Sequence, residues 1–229
     1  MHLGLRTFDG HNQIKGNIPM KLYYLPGACS LASHIALIWS DAHYELERLS
    51  YETLHGPAFM ALNPKGAVPT LTDKTVGAGD LVLTESLAVL LYIAAQKPSA
   101  RLAADVDDGH EQARMNEIMS ELVSEVHKAF VPTLVPDRYV TDPAAHDQVR
   151  AAGFILIEKA FRRLDGYLKG RDWLVLDRRT IADAYLHAMS RWLSKTPVEA
   201  FPNIARHFRR LSSDAGVQRA LNEEGLQIA

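Results

Sequence analysis

Between residues 21 and 49, two short apolar runs flank one segment with a helical pattern. The run at 21–25, Lys-Leu-Tyr-Tyr-Leu, is aromatic and closes at a Pro-Gly pair, which predicts a buried strand that ends in a turn. At 29–41 the apolar positions recur every three to four residues, which predicts a helix. Residues 44–49 follow as a second predicted strand. The chain therefore opens with a β-α-β unit.

A second group of short elements follows a constrained loop. Residues 62–69 contain two prolines and a glycine, so the chain reaches a short predicted strand along a restricted path. Gly77 and Gly79 punctuate a predicted hairpin into a strand at 81–83. The helix that begins at 84–86 has an acidic first turn and an apolar interior. This pattern predicts two strands and a helix after the β-α-β unit.

The remaining half of the chain has helical periodicity. Long helices are predicted near 109–134 and 143–169, and shorter ones start at about residues 204 and 215. The segment 180–183, Thr-Ile-Ala-Asp, is a capping-box variant, which predicts the start of a buried helix with an apolar run up to residue 192.

The change of pattern predicts two domains. We expect an α/β domain at 20–97 and an all-helical domain at 108–229, with the boundary between residues 97 and 108. Residues 1–19 lack a patterned element, and we expect them to be a poorly ordered extension.

Composition narrows the class of partner. The 229 residues are 47% hydrophobic, which is ample for a core, and 25 basic against 27 acidic side chains leave a net charge of only −2. This balance provides no general electrostatic attraction to nucleic acid or anionic lipid. The sequence contains no uninterrupted apolar run of about 18 residues, so no membrane span is predicted. The single cysteine excludes an intramolecular disulfide, which indicates a cytoplasmic protein. We expect a small-molecule partner or a second copy of the chain, and predict no metal site.

Two features near predicted strand ends carry candidate chemistry. Cys29 begins a helix, where free backbone amides and the helix dipole favour a thiolate, although a lone cysteine is also a common small core residue. A cis bond at Val68-Pro69 would expose a backbone amide and carbonyl to an extended peptide, whereas an ordinary trans proline would simply open the strand.

Two further pairs lie on predicted helices. Glu85 and Ser86 stand at the head of an apolar helix, where they can hold the ammonium and carboxylate of one amino-acid group, or merely complement the helix dipole. A neutral His127 can hydrogen-bond a sulfur or a carboxylate across a cleft, or be a surface or core histidine. Lys128 beside it is a candidate ligand or a solvated side chain.

Together these segments resemble the glutathione transferase family, and its bacterial beta class in particular, from residue 20 to the C-terminus. The resemblance rests on five ordered motifs, which are Lys-Leu-Tyr-Tyr-Leu-Pro-Gly-Ala-Cys-Ser (21–30), Asn-Pro-Lys-Gly-Ala-Val-Pro (63–69), Leu-Thr-Glu-Ser (83–86), Ser-Glu-Val-His-Lys (124–128) and Thr-Ile-Ala-Asp-Ala-Tyr (180–185). It implies a thioredoxin-like domain followed by an all-α domain, a homodimer, and glutathione as co-substrate in detoxification of a small hydrophobic electrophile.

The resemblance also implies roles for single residues. It implies that Cys29 lies beside the glutathione sulfur and can form a mixed disulfide with it, and that Val68 before a cis-Pro69 pairs with the peptide backbone. It implies that Glu85 and Ser86 hold the γ-glutamyl end. His127 and Lys128 are expected to reach this site from the helical domain, Tyr24 to lie near the thiol, and Ser30 to be able to donate to the sulfur.

The chain departs from the family pattern in three places. Only His55 stands in the region after the second strand where some beta-class members carry basic residues that help to hold glutathione. Ser120 occupies the position expected for an asparagine, and Arg179 replaces an apolar residue before the capping box, which would weaken the hydrophobic staple there.

The reaction expected from the sequence is attack of the glutathione thiolate on an electrophilic carbon or a disulfide sulfur. The second substrate is expected to bind in an apolar pocket between the domains, lined by the helix from Met119 to Val131. Two alternatives remain open. One is a glutathione-dependent disulfide reductase with Cys29 as its essential nucleophile, and the other is a non-catalytic glutathione-binding regulatory protein of the same fold.

Overall fold

A four-stranded mixed sheet forms the first part of the chain. In the computed structural model, residues 20–74 and 81–227 are described, and the expectations for residues 1–19 and for the Gly77 and Gly79 hairpin lie outside them. The strands are β1 (Met20–Tyr24), β2 (Tyr44–Arg48), β3 (Thr70–Asp73) and β4 (Leu81–Thr84). Their order in the sheet is β2-β1-β3-β4, with β1 and β2 parallel and the other neighbours antiparallel. The predicted β-α-β unit and the two later strands are confirmed.

Four helices accompany the sheet, namely α1 (Ser30–Trp39), α2 (Tyr51–Leu54), α3 (Pro57–Leu62) and α4 (Ser86–Gln96). The pattern did not predict α2 and α3, because four and six residues are too few to display a helical period. A reciprocal capping box between Ser50 and Thr53 starts α2, and Pro57 starts α3. These short helices bring the chain back toward the sheet at the loop before β3.

The second part of the described chain is helical, as predicted. Its helices are α5 (Gly109–Glu121), α6 (His127–Leu134), α7 (His146–Tyr167), α8 (Ile181–Ser190), α9 (Pro202–Ser212) and α10 (Ala215–Glu224). The predicted segment 109–134 contains both α5 and α6, which are joined by one wide π-helical turn at Leu122–Val126. Every residue of α8 is buried, which confirms the expected core helix. None of the helices in the described part of the chain is long and apolar enough to cross a membrane.

The start of α8 is held by the predicted capping box. The Thr180 amide donates to Asp183 Oδ2 over 2.8 Å, and Thr180 Oγ1 accepts from the second amide of the helix. Arg179 replaces the apolar contact of a hydrophobic staple with other contacts. Its guanidinium lies 4.4 Å from the ring centre of Trp39 and pairs with Asp214 at 2.7 Å. Since Trp39 ends α1, Arg179 ties α8 and α10 to the helix that carries Cys29 at its N-terminus.

Candidate active site around Cys29

Cys29 occupies the N-cap position of α1 and is only 7% exposed. Its thiol donates a hydrogen bond to the Val68 carbonyl over 3.2 Å. Burial raises the pKa of the Cys29 thiol to about 11, although hydrogen bonds from Ser86 and from the amides at the helix start act in the opposite direction. The sequence prediction of a stabilised thiolate is therefore wrong, because desolvation outweighs the helix N-terminus. Cys29 is a protonated hydrogen-bond donor at neutral pH.

The loop before β3 presents its backbone to Cys29. The Val68-Pro69 peptide bond is cis, as the family resemblance implied. Asn63 is almost fully buried, and its side-chain amide donates to the Ala67 carbonyl over 2.8 Å and to Thr70 Oγ1 over 2.9 Å. Because Asn63 bonds both sides of the cis bend, the Val68 carbonyl is held in a fixed position.

Glu85 and Ser86 lie beside the same cysteine. Ser86 opens α4, is buried, and its hydroxyl acts on the Cys29 thiol through a hydrogen bond. Glu85 precedes it with a φ of 72°, a backbone conformation that non-glycine residues seldom adopt. Its carboxylate is exposed and forms an ion pair with the Lys65 ammonium. The hydrogen bond from Lys65 holds the pKa of Glu85 below its usual range, and the charge of Lys128 adds to the effect.

His127 reaches this region from the helical part of the chain. The π-helical turn ends immediately before it, and the His127 amide donates to the Leu122 carbonyl five residues earlier. Its Nδ1 lies 2.6 Å from the Tyr185 hydroxyl, and its ring centre lies 5.2 Å from that of Trp192. Burial, with a smaller contribution from the charge of Lys128, lowers the pKa of His127 to about 4. The imidazole is therefore neutral at pH 7, as the sequence analysis expected.

The Ser30 hydroxyl is engaged with the backbone, whereas the expected place of the buried Tyr24 near the thiol stays a prediction. The Ser30 hydroxyl is fully buried and is engaged with the backbone of Leu25, donating to its carbonyl and accepting from its amide, each over 3.3 Å. The expectation that it donates to a sulfur is not met, because its one proton is already used. Tyr24 is 4% exposed, and its ring lies 6.2 Å from that of His34. Burial raises the pKa of Tyr24, and the negative charge of Glu224 raises it further. Tyr24 lies on the side of β1 that packs against the core.

The predicted electrophile pocket needs a correction at one end. Met119 is fully buried in the core, so it cannot line an open pocket, whereas His127 and Val131 are partly exposed. A cavity of about 710 Å³ between α5, the end of α7 and the loop before α8 contains none of the candidate site residues. Ser120 is exposed on α5, and His55 packs beside Gly66, where an added Cβ would lie 2.9 Å from its Nδ1.

Three residues near the site were missed in the sequence analysis. Lys65 pairs with Glu85, and Tyr185 bonds His127 and is linked to Ser86 through a hydrogen bond. Trp192 packs on the His127 ring, and its indole donates to the Gly27 carbonyl over 2.8 Å. Lys65 and Tyr185 lie inside two of the quoted motifs, so their positions carried a signal, but the sequence gives no indication of their partners.

These groups surround one position with complementary chemistry. When a ligand sulfur replaces the Val68 carbonyl as the acceptor of the Cys29 proton, the Cys29 thiol and the hydroxyls of Ser86 and Tyr185 can donate hydrogen bonds to that sulfur. The backbone at Val68 can pair with an extended peptide, and the carboxylate of Glu85 can bind an ammonium group. The arrangement suits a short peptide with a thiol and a free amino group.

Known proteins share both the sequence and the fold. Residues 18–95 match the family profile of the glutathione S-transferase N-terminal domain, and residues 122–214 match that of the C-terminal domain. Glutathione S-transferase GST-4.5 of Xanthomonas campestris pv. campestris is 35% identical over 209 residues, which cover 90% of this chain and 100% of the relative.

Two solved structures are similar along almost the whole chain. A beta-class glutathione S-transferase of Sphingomonas chungbukensis superimposes with a TM-score of 0.80 at 35% identity, covering 90% of this chain and 100% of the other. A sphingomonad glutathione S-transferase in complex with glutathione gives a TM-score of 0.79 at 34% identity, with coverage of 90% and 100%. The chain therefore belongs to the glutathione S-transferase family and is similar to its bacterial beta class.

Proposed function

We propose that the protein binds glutathione beside Cys29 and attaches the glutathione sulfur to small hydrophobic electrophiles. As a member of the glutathione S-transferase family it is an enzyme, and glutathione is its co-substrate. The observation that carries the proposal is the convergence of Cys29, the Val68 carbonyl and the Glu85-Ser86 pair at one end of strands β1, β3 and β4. The glutathione present in the sphingomonad relative supports the same ligand.

In this proposal each end of the tripeptide has its own partners. The backbone of Val68 pairs with the cysteinyl residue of glutathione, as an added strand pairs with a sheet edge. Glu85 takes the γ-glutamyl ammonium, while Ser86 and the first amides of α4 take its carboxylate. Lys128, which acts on Glu85 and His127 through its charge, adds positive potential for a carboxylate of the ligand.

The glutathione sulfur is activated by donated hydrogen bonds. A thiolate that lies near Cys29 and Tyr185 accepts from protonated groups, because burial raises the pKa of Cys29 to about 11 and raises that of Tyr185 beyond the neutral range. Such donors favour the charged form of the bound sulfur and lower its pKa. The thiolate then attacks the electrophilic carbon, a carbon–sulfur bond forms, and the leaving group departs with the electron pair of the broken bond.

The raised pKa of Cys29 favours conjugation over disulfide reduction as the reaction of this site. Disulfide reduction through Cys29 requires its thiolate, which is scarce at neutral pH when the pKa is about 11. Conjugation requires only that Cys29 donate a hydrogen bond. We therefore place conjugation first and a slow mixed disulfide between Cys29 and glutathione second. No contact of the described residues specifically favours a purely regulatory protein.

The test compares the native protein with Cys29→Ala. After incubation with oxidised glutathione, intact mass spectrometry should show one glutathione adduct on the native protein alone. With chlorodinitrobenzene as the electrophile, Cys29→Ala should retain kcat/KM within about tenfold, a loss of no more than about 1.4 kcal/mol. A thousandfold loss of conjugation would make Cys29 essential for conjugation and would contradict its role as a single hydrogen-bond donor. Absence of glutathione binding by the native protein would refute the proposal.

Assembly, location and domain division belong to the same proposal. We infer a homodimer in the cytoplasm, with a thioredoxin-like domain at 20–97 and a helical domain at 108–229. The single cysteine supports a reducing compartment, and the two matched family segments end and begin on either side of the inferred boundary. Light scattering during size-exclusion chromatography would give twice the mass of one chain, and a monomer at micromolar concentration would refute the dimer.

A further inference from the structure

Glu85 displays its carboxylate to solvent in an unusual way. It occupies the N-cap position of α4 with a φ of 72°, yet its side chain makes no capping hydrogen bond to the helix. The glutamate side chain is 63% exposed. A residue held in such a backbone conformation, and not used by its own helix, is free to bind a cation.

In the described structure that cation comes from the protein itself. The Lys65 ammonium forms the ion pair with Glu85 Oε1 and also donates to Thr84 Oγ1 over 3.3 Å. The Lys65 amide donates to Asn63 Oδ1 over 3.1 Å, so the backbone that carries the lysine is tied to the rigid bend before β3. The ammonium is therefore delivered to Glu85 from a fixed base.

The charges around Glu85 make Lys65 its main partner. Lys65 is the first cause of the lowered pKa of Glu85, while Lys128 acts only through space. Cys29, His127 and Tyr185 are also titratable groups near Glu85; burial raises the pKa of Cys29 and Tyr185 and lowers that of His127 to about 4, so all three are uncharged at pH 7. The carboxylate that the proposed function assigns to the ligand ammonium thus already carries an ammonium before any ligand arrives.

We propose that Lys65 acts as a built-in substitute for the amino group of the ligand and thereby sets specificity at the γ-glutamyl end. With Lys65 in place, the site accepts peptide thiols whose terminal amino group is absent or acylated, because Glu85 stays paired when they bind. Glutathione itself must displace Lys65, which is 56% exposed and can swing into solvent. The inference rests on the proposed function and deepens it.

Removal of the lysine has opposite consequences for the two kinds of ligand. For glutathione, the loss of Lys65 removes a competitor for the single Glu85 carboxylate. For desamino-glutathione, which is glutaryl-cysteinyl-glycine, it leaves Glu85 without a partner when the ligand covers it. The ratio of the two dissociation constants therefore reports on Lys65, and a uniform change in site charge or stability largely cancels from it.

The experiment is calorimetric titration of glutathione and of desamino-glutathione into the native protein, Lys65→Met, Lys65→Arg and Lys97→Met. Lys97 is exposed beyond the end of α4 and controls for the loss of one positive charge. For Lys65→Met, the ratio of the desamino-glutathione to the glutathione dissociation constant should rise at least about threefold, the scale of one exposed ion pair. Lys65→Arg should return it close to the native ratio, and Lys97→Met should leave it unchanged.

The outcomes separate the two levels of the proposal. Binding of both ligands with a ratio that stays within about twofold in Lys65→Met would overturn the role of Lys65 and leave the proposed function standing. An equal rise in Lys97→Met would also overturn it, since the effect would be general charge. If the native protein binds neither ligand at millimolar concentration, the proposed function fails, and the role of Lys65 fails with it.

Discussion

Replacement of Glu224 by glutamine tests how the end of the chain stabilises the cysteine-bearing loop. Glu224 is 1% exposed on α10. One carboxylate oxygen contacts Nδ1 of His34 at 3.1 Å, and the other accepts from the Gly27 amide over 2.9 Å. His34 is fully buried in α1, and its Nε2 contacts the neighbouring Glu223 at 2.8 Å. Two adjacent glutamates thus bind the same histidine but differ in burial.

The magnitude follows from that difference. Glutamine keeps the shape of Glu224 and can still accept from Gly27, but the charge-assisted bond to His34 is lost at a buried position. Hydrogen bonds to charged groups contribute about 1.5–3 kcal/mol, so we expect Glu224→Gln to lower the free energy of unfolding by about 2 kcal/mol. For a chain of this length that is a fall in Tm of about 4–8 °C. The Glu223 side chain is 31% exposed, and Glu223→Gln should cost less than about 1 kcal/mol.

The assay is thermal unfolding, followed by far-ultraviolet circular dichroism, with both variants and the native protein at the same pH and protein concentration. Urea midpoints provide a second measure. If Glu223→Gln destabilises the protein as much as Glu224→Gln, burial does not decide the strength of these contacts. The reasoning would then be refuted.

Three other outcomes follow from the structure. Because burial raises the pKa of Cys29 to about 11, its alkylation by iodoacetamide, followed by mass spectrometry, should accelerate about tenfold per pH unit between about pH 7 and pH 10; a rate that levels off below pH 9 would contradict this. Burial lowers the pKa of His127 from 6.5 to about 4. Between these two pH values the unfolded chain binds a proton that the folded protein does not, so the free energy of unfolding decreases as the pH is lowered from about 6.5 to about 4. Over the same pH range, measured by urea unfolding, the free energy of unfolding of His127→Asn should decrease by up to about 3 kcal/mol less than that of the native protein. Equal decreases in the two proteins would contradict this prediction. On α7, an added Cβ at Gly153 would lie 2.7 Å from Thr133, whereas nothing lies within 4 Å at Gly166; Gly153→Ala should lower stability by about 1–3 kcal/mol and Gly166→Ala raise it by about 0.5–1 kcal/mol, and equal melting temperatures would refute the contrast.

Local pattern was enough to predict the framework. The strand at 21–25, the helix after Cys29 and the buried helix after Thr180 were predicted because period and capping are properties of adjacent residues. The π-helical turn before His127 was not predicted, since its residues are as helical in pattern as their neighbours. Its wide hydrogen bond changes which side chains share a face, and such insertions occur frequently at functional sites.

The content of the site depended on contacts that no local pattern records. Lys65 and Glu85 are 20 residues apart, and His127 and Tyr185 are 58 residues apart. Ser30 was expected beside the sulfur because it follows Cys29, yet its hydroxyl turns back to the backbone of Leu25. The direction of a side chain at a helix start is set by the turn before the helix, and the degree of burial of Cys29 is set by the packed loop and helices around it.

Gly27 shows why the helical part of the chain belongs to the active site. Its amide donates to Glu224, its carbonyl accepts from Trp192, and a Cβ added to it would lie 3.6 Å from the Leu226 side chain. Both polar groups of this residue, two positions before Cys29, are thus satisfied by side chains from the end of the chain. Residues 20–97 on their own would leave the Gly27 amide, the Gly27 carbonyl and His34 without these partners and open to water, so the contacts that fix the loop in this geometry would be lost. The geometry of the cysteine loop is therefore a property of the whole chain, and the sheet alone does not specify it.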